Sequence, residues 1–125
     1  MSGSNVGIFG LGRIGLAVAK RLQNFGTNKI IYHNRTKNPE AENLGFKHVD
    51  LDTLFADSDF LIVSCALTDE TKGFFDLDKF KRMKKNLVFI NVSRGGVVNQ
   101  DDLYIALKDN IITAAGSVIF LCLFI

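Results

Sequence analysis

The chain has 125 residues, which is enough for one domain with a hydrophobic core. Hydrophobic residues make up 47% and charged residues 22%, and a net charge of +2 argues against nucleic-acid or anionic-membrane partners. The two cysteines, Cys65 and Cys122, lack the spacing of a disulfide framework, so we expect reduced thiols and a cytoplasmic protein.

Short apolar runs alternate with helical patterns along the chain. The runs are nearly continuous, which is typical of parallel strands that are covered on both faces. We predict strands at residues 6–9, 29–32, 47–49, 60–63, 87–90 and 112–115, and helices at residues 13–24, 40–44, 51–56, 76–83 and 100–107. This alternation predicts an α/β fold with a doubly wound parallel sheet and the strand order 3-2-1-4-5-6.

The first predicted helix has apolar residues at a helical spacing. Ile14, Val18, Leu22 and Phe25 fall on one stripe, and we expect this stripe to be buried against the sheet. Gly26 follows the stripe and is expected to end the helix.

The sequence VGIFGLGRIG at residues 6–15 puts a glycine-rich turn between the first predicted strand and the first helix. In such a turn Gly10 allows the tight bend, Gly12 lets the backbone approach a pyrophosphate, and Gly15 lets the helix pack close to the strand. The helix N-terminus adds unpaired N–H groups and partial positive charge. This context predicts a Rossmann dinucleotide-binding fold, and a glycine turn without a ligand is the alternative.

The segment after the second predicted strand indicates which dinucleotide is bound. NAD-binding sites of this type carry an Asp or Glu about 20 residues beyond the glycines, which binds the ribose 2′-hydroxyl. Here Arg35 occupies that position, and residues 32–37 contain no acid. Arg35 and Lys37 can bind a 2′-phosphate, with Asn34 and Thr36 as hydrogen-bonding neighbours. We therefore predict a preference for NADP(H) over NAD(H), and the alternative is that both cations belong to a solvated loop.

A second motif follows the fifth predicted strand. The segments GLGRIG, SDFLIVSCALT, FINVSRGGVVNQDDLYIAL and ITAAG extend over most of residues 6–116 and resemble the D-isomer-specific 2-hydroxyacid dehydrogenases. Within this family they are similar above all to the glyoxylate/hydroxypyruvate reductases. The resemblance implies an oxidoreductase that reduces small 2-oxo acids with NADPH, and a homodimeric parent protein.

The resemblance also implies cofactor contacts for individual residues. The matching positions are the pyrophosphate turn (Gly12, Arg13 and Ile14), the 2′-phosphate site (Arg35, Thr36 and Lys37), the loop after the fourth strand (Ala66) and the backbone beside the nicotinamide half (Val92).

Arg94 is the candidate substrate-binding and catalytic residue. It matches the arginine of the family that holds the substrate carboxylate and polarises its ketone. It also follows a buried strand at the carboxyl edge of the predicted sheet, where open α/β sheets bind ligands. A guanidinium can bind a carboxylate through two hydrogen bonds and can offset the negative charge that grows on the carbonyl oxygen during hydride attack. The alternative is a structural arginine that binds loop carbonyls.

The proton donor of the family does not occur in this sequence. The family has a His that is held by a Glu beyond the sixth strand, whereas this chain continues with SVIFLCLFI. His33 and His48 lie on the second and third predicted strands, on the adenosine side. We expect residues 1–116 to form an incomplete dinucleotide-binding domain without a substrate domain, residues 117–125 to be an aberrant apolar tail, and the cofactor to bind without turnover.

Other functions are less well supported by the sequence. The apolar run at residues 118–125 is shorter than the roughly 20 residues of a membrane span, so we expect no membrane partner, and we also predict no metal site. A dinucleotide-sensing corepressor module of the same family fold remains an alternative. A β-hydroxyacid dehydrogenase would share residues 34–36 but would lack the context of residues 93–95.

Overall fold

The computed structural model describes residues 3–117, so the apolar run at 118–125 lies outside the described residues. The strands are β1 (Asn5–Phe9), β2 (Lys29–His33), β3 (Lys47–His48), β4 (Phe60–Val63), β5 (Val88–Asn91) and β6 (Ala114–Ser117). The α-helices are α1 (Arg13–Leu22), α2 (Pro39–Asn43), α3 (Leu51–Asp57), α4 (Leu77–Lys81) and α5 (Gln100–Lys108). Short 3-10 helices cover Gln23–Phe25 and Gly95–Val97. None of the helices within residues 3–117 has the length and apolar character needed to cross a membrane.

The strands form one parallel sheet in the order β3-β2-β1-β4-β5-β6. β1 pairs with β2 on one side and with β4 on the other, so that Phe9 lies beside both His33 and Val63. The strand order changes direction at β1, and this leaves a crevice at the carboxyl ends of β1 and β4, where open α/β sheets bind ligands. The predicted doubly wound α/β fold and its strand order are confirmed.

The sixth strand begins two residues later than its sequence pattern predicts, at Ala114 instead of Ile112. The backbone N–H groups of Ile111 and Ile112 donate to the carbonyl of Ala106 at 2.8 and 3.3 Å. These bonds complete the end of α5, so the two residues cannot join the sheet. The side chain of Ile112 is nevertheless fully buried, which explains why its sequence pattern is typical of a strand.

The buried face of α1 contains half of the predicted stripe, because Val18 and Leu22 pack against the core and the other two residues do not. Ile14 and Phe25 are 62% and 63% exposed, whereas Gly15 and Ala19 are buried. Because Gly15 has no side chain, α1 lies so close to β1 that a Cβ at this position would be 3.3 Å from the side chain of Ile8. This contact turns residues 15 and 19 toward the sheet, and Ile14 is rotated away by about 100°. Phe25 lies in the 3-10 helix beyond α1.

Asp59 joins the starts of β1, β4 and β5 at the amino edge of the sheet. Its carboxylate accepts hydrogen bonds from the backbone N–H of Asn5 at 2.8 Å and from the ammonium of Lys84 at 3.0 Å. Its backbone N–H donates to the carbonyl of Asn5, and its carbonyl accepts from the N–H of Val88, both at 2.9 Å. The bond from Asn5 and the charge of Lys84 hold the pKa of Asp59 below its ordinary value, against the opposing effect of burial.

We expect Asp59→Asn to lower the free energy of unfolding by about 1–3 kcal/mol, because charge-assisted hydrogen bonds become neutral ones. The lowered pKa means that this stabilisation is present above the ordinary aspartate pKa of about 3.9. It is lost as the pH falls through the lower pKa of the folded state. Urea unfolding of both proteins between about pH 2 and pH 7 measures the difference.

Asp69→Asn is the matched control, since Asp69 is exposed and is not in the ion pairs found among residues 3–117. Equal losses in the two variants, or an unchanged acid dependence in Asp59→Asn, would contradict the role given to Asp59.

Candidate functional site

A cleft of about 670 Å³ opens at the carboxyl edge of the sheet, between the ends of β1, β2 and β4. Its walls come from the glycine turn after β1, the loop after β2, and the loop between β4 and α4. The predicted site residues that line the cleft are Gly10, Gly12, Asn34, Arg35 and Ala66. The predicted site residues that are not part of this lining are Arg13, Ile14, Gly15, Thr36, Lys37, Val92 and Arg94.

The turn after β1 requires glycine at its first position. Gly10 has a φ of 87°, in the left-handed region that is strained for residues with a side chain. A Cβ at this position would also lie 2.7 Å from the Cα of Cys65. The N–H of Gly10 donates to the carbonyl of His33 at 2.9 Å, and the hydroxyl of Ser64 donates to the carbonyl of Gly10. The ends of β1, β2 and β4 are thereby held together around the turn.

The other two glycines of the motif have contrasting surroundings. A Cβ at Gly12 would meet no atom within 4 Å, so this position faces open space beside the cleft. A Cβ at Gly15 would collide with the hydroxyl of Ser64 and would lie 2.7 Å from the carbonyl oxygen of Gly10. Gly12 therefore leaves room for a ligand, whereas Gly15 allows α1 to begin directly against the turn.

The N-terminus of α1 has no side-chain cap. Gly12 occupies its N-cap position, and no acidic residue lies in the first turn. By contrast, α2, α3, α4 and α5 begin with side chains that accept a hydrogen bond from a first-turn N–H group, namely Asn38, Asp50, Asp76 and Asn99. The first N–H groups of α1 thus remain available, with partial positive charge, for an anion such as a phosphate.

Arg35 contacts a carboxylate that sequence interpretation missed. Its Nη2 atom lies 2.7 Å from Oε2 of Glu70, and both residues line the cleft. Glu70 is 35 residues further along the chain, in the loop between β4 and α4, and no local pattern marks it. Only the strand order could have indicated this contact, because β2 and β4 flank β1 and the loops that follow them meet above its end.

A column of stacked rings extends along the cleft toward β3. The ring centroids of Phe9 and Phe74 are 5.1 Å apart, those of Phe9 and His33 are 5.9 Å apart, and those of His33 and His48 are 6.0 Å apart. Each imidazole also has a nitrogen within 3.0 Å of a backbone carbonyl oxygen, to which it donates an N–H. Three of these rings, those of Phe9, His33 and Phe74, form part of the cleft wall.

Cys65 lies in the wall of the cleft, opposite the glycine turn. Partial burial raises the pKa of its thiol and outweighs the smaller, opposite effect of hydrogen bonding to the Cys65 backbone. The thiol is therefore protonated near neutral pH and is not an activated nucleophile.

The second motif forms a separate turn after β5. Asn91, which is 6% exposed, accepts hydrogen bonds from the N–H and the hydroxyl of Ser93 at 2.9 and 2.6 Å and donates to the carbonyl of Arg94 at 3.3 Å. Sequence interpretation did not single out Asn91, although a polar residue at the end of a buried strand is a recognisable signal of a functional or structural role. The N–H of Val92 donates to the carbonyl of Val63 at 2.9 Å. These bonds shape the turn while the side chain of Arg94 is exposed.

Residues 1–119 match the family model described as D-isomer specific 2-hydroxyacid dehydrogenase, NAD binding domain. A glyoxylate reductase/hydroxypyruvate reductase of Homo sapiens is 51% identical over 114 residues, which are 90% of this chain and 35% of the human protein. A glyoxylate reductase of Thermococcus litoralis is 46% identical over 121 residues, which are 96% of this chain and 36% of that protein. The chain thus spans about a third of the length of these relatives.

Solved structures have the same fold as the described residues. The apo-structure of D-lactate dehydrogenase from Escherichia coli has a TM-score of 0.89 at 32% identity, covering 93% of this chain and 37% of that chain. A glyoxylate reductase from Paecilomyes thermophila has a TM-score of 0.87 at 35% identity, covering 93% of this chain and 35% of that chain.

Substitution of two glycines should separate folding from ligand binding. We expect Gly10→Ala to lower the free energy of unfolding by at least about 2 kcal/mol, because of backbone strain and the collision with Cys65. Gly12→Ala should change it by no more than about 0.5 kcal/mol, since its φ of −89° is ordinary and the space is open. The methyl group at position 12 should weaken dinucleotide binding at least about tenfold.

Urea unfolding and fluorescence titration with NADPH measure the two effects. Unchanged NADPH binding in Gly12→Ala would show that the pyrophosphate does not approach this turn.

Proposed function

The chain belongs to the D-isomer specific 2-hydroxyacid dehydrogenase family, to its NAD-binding domain, and on this basis we propose that it is the cofactor-binding part of an NADPH-dependent reductase of small 2-oxo acids. Glyoxylate and hydroxypyruvate are the proposed substrates of the longer protein, which we propose to be a homodimer. The observation that carries the proposal is the uncapped N-terminus of α1 at a glycine turn beside the cleft.

The proposed pyrophosphate site is made of backbone groups. Open space at Gly12 allows the phosphates to approach, and the N–H groups of Arg13 and Ile14 begin the uncapped helix. These groups fit a diphosphate because N–H donors and the positive end of the helix dipole act on the same anion. The aromatic rings of Phe9, His33 and Phe74 in the cleft wall offer contact surface for the adenine ring.

The proposed preference for NADPH rests on the loop after β2. Arg35 lines the cleft, Lys37 is exposed two residues away, and residues 32–37 contain no acid. A guanidinium can hold a 2′-phosphate through paired hydrogen bonds, and Asn34 and Thr36 can contribute further ones. From its 2′-phosphate end, the cofactor would extend past Ala66 in the loop between β4 and α4.

Arg94 is the proposed substrate-binding residue. It follows Val92, the residue proposed to contact the nicotinamide half, at the carboxyl edge of the sheet, and its side chain is exposed. Bound NADPH supplies the hydride for the reduction of a ketone or aldehyde. Arg94 would hold the substrate carboxylate and offset the negative charge that grows on the carbonyl oxygen.

We propose that this chain binds the cofactor without turnover. Its two histidines are His33 and His48, and both donate to backbone carbonyls at the ends of β2 and β3. These strands lie on the opposite side of β1 from β5, which precedes Arg94. We therefore propose that neither histidine of this chain donates the proton to the product hydroxyl.

We expect Arg35→Ala to weaken NADPH binding about 10- to 100-fold, because a charge-assisted bond to the 2′-phosphate is worth about 1.5–3 kcal/mol. NADH binding should change little, since NADH lacks this phosphate. Fluorescence titration with each reduced cofactor measures the two dissociation constants. Arg21→Ala is the control, because Arg21 is an exposed cation at the far end of α1. Equal affinities for the two cofactors in the wild type, or unchanged NADPH binding in Arg35→Ala, would contradict the proposed preference.

We expect the purified chain to bind NADPH but not to oxidise it in the presence of glyoxylate. Absorbance of the reduced nicotinamide over time measures oxidation, and fluorescence in the same sample measures binding. Oxidation that depends on both glyoxylate and Arg94 would mean that the chain contains a proton donor after all.

A further inference from the structure

Glu70 is placed to act on the same part of the cofactor as Arg35. The carboxylate of Glu70 and the guanidinium of Arg35 are 2.7 Å apart and 76% and 82% exposed. Both line the cleft, one from the loop after β4 and the other from the loop after β2. The residue that is proposed to bind the 2′-phosphate therefore already has an anionic partner.

The loop holds Glu70 in this position through its own hydrogen bonds. The hydroxyl of Thr71 donates to the carbonyl of Ala66 at 2.7 Å and accepts from the N–H of Thr68 at 2.8 Å. The N–H of Lys72 donates to the carbonyl of Thr68 at 2.9 Å. The backbone on both sides of Glu70 thus forms a closed turn, which presents this side chain to the loop after β2.

We infer that Glu70 limits the preference for NADPH over NADH by competing with the 2′-phosphate for Arg35. This inference rests on the proposed function of the site. A phosphate monoester carries a charge of about −1.5 to −2 near neutral pH. When the 2′-phosphate binds Arg35, Glu70 loses its ion-pair partner and lies close to a second negative charge. The 2′-hydroxyl of NADH leaves the ion pair intact and can donate a hydrogen bond to the carboxylate.

Cofactor selectivity is then a balance between cations on one loop and an anion on the other. Arg35 and Lys37 favour the phosphate, and Glu70 opposes it. Residues 32–37 contain no carboxylate, and the loop after β4 supplies one in part, from a different segment of the chain. Glu70 is therefore a specificity-determining residue, although it does not belong to the glycine turn or to the loop after β2.

The test is Glu70→Gln, which removes the charge and keeps the size of the side chain. Fluorescence titration of the whole chain with NADPH and with NADH, at one fixed ionic strength, gives the ratio of the two dissociation constants. We expect NADPH to bind about threefold to tenfold more tightly than to the wild type, with NADH unchanged or slightly weaker. Added salt should reduce this gain.

Asp69→Asn is the matched control, since it removes the same charge from the adjacent residue of the same loop. If Glu70→Gln changes the ratio no more than Asp69→Asn does, the inference is wrong. If the wild type binds both cofactors equally and Glu70→Gln creates a preference for NADPH, the inference holds while the proposed preference of the wild type fails.

The double variant Arg35→Ala/Glu70→Gln tests the competition itself. If Glu70 acts by occupying Arg35, its substitution should alter NADPH binding by less than about twofold once Arg35 is absent. A gain as large as in the wild-type background would overturn the competition, because it would show that Glu70 repels the phosphate independently of Arg35.

Discussion

The close approach of α1 to the ends of β1 and β4 is the constraint on which the rest of the structure depends. Glycine alone permits it, because a side chain at Gly10 would collide with the backbone of Cys65 and one at Gly15 would collide with the turn itself. The same contact places the start of α1 beside the cleft and sets the rotation of the helix, so that Ala19 is buried and Ile14 is exposed. One steric requirement thus determines the packing of a sheet face and the position of the uncapped N–H groups of α1.

The two edges of the sheet differ in whether side chains pair with the polar backbone groups at the ends of strands and helices. At the amino edge, Asp59 satisfies the N–H of Asn5 and the charge of Lys84, so the polar groups that begin these strands are paired. At the carboxyl edge, the glycine turn offers no side chain to the N-terminus of α1, whereas the other α-helices of residues 3–117 have Asn or Asp caps. The amino edge is thus stabilised by polar groups that pair within the chain, whereas the first N–H groups of α1 have no side-chain partner.

The cleft mouth has charges of both signs, and this matters more than the presence of any single arginine. Specificity is a difference between two affinities, so a carboxylate that penalises one cofactor alters it just as a cation that favours that cofactor does. Both Arg35 and Glu70 are largely exposed, which makes their ion pair weak and exchangeable. On the proposed function, a 2′-phosphate would replace the carboxylate at modest cost, and the cofactor preference would be tuned without a change in the fold.

Short motifs were enough to recognise the glycine turn and the family, and local periodicity was enough to predict a parallel sheet. The strand order was predicted from the Rossmann fold that the glycine motif indicates. The sequence predicted the wrong start for β6, and it placed Ile14 and Phe25 wrongly on the buried face of α1 beside Val18 and Leu22, which do pack against the core. The bonds to Ala106 and the contact at Gly15 decide those features, and both arise only when the elements pack. It also missed Asn91 and Glu70. The partner of Arg35 lies 35 residues away and reaches it only because β1 separates β2 from β4 in the sheet. Tertiary structure therefore decided the electrostatics of the cleft, since charges act through space and not along the chain.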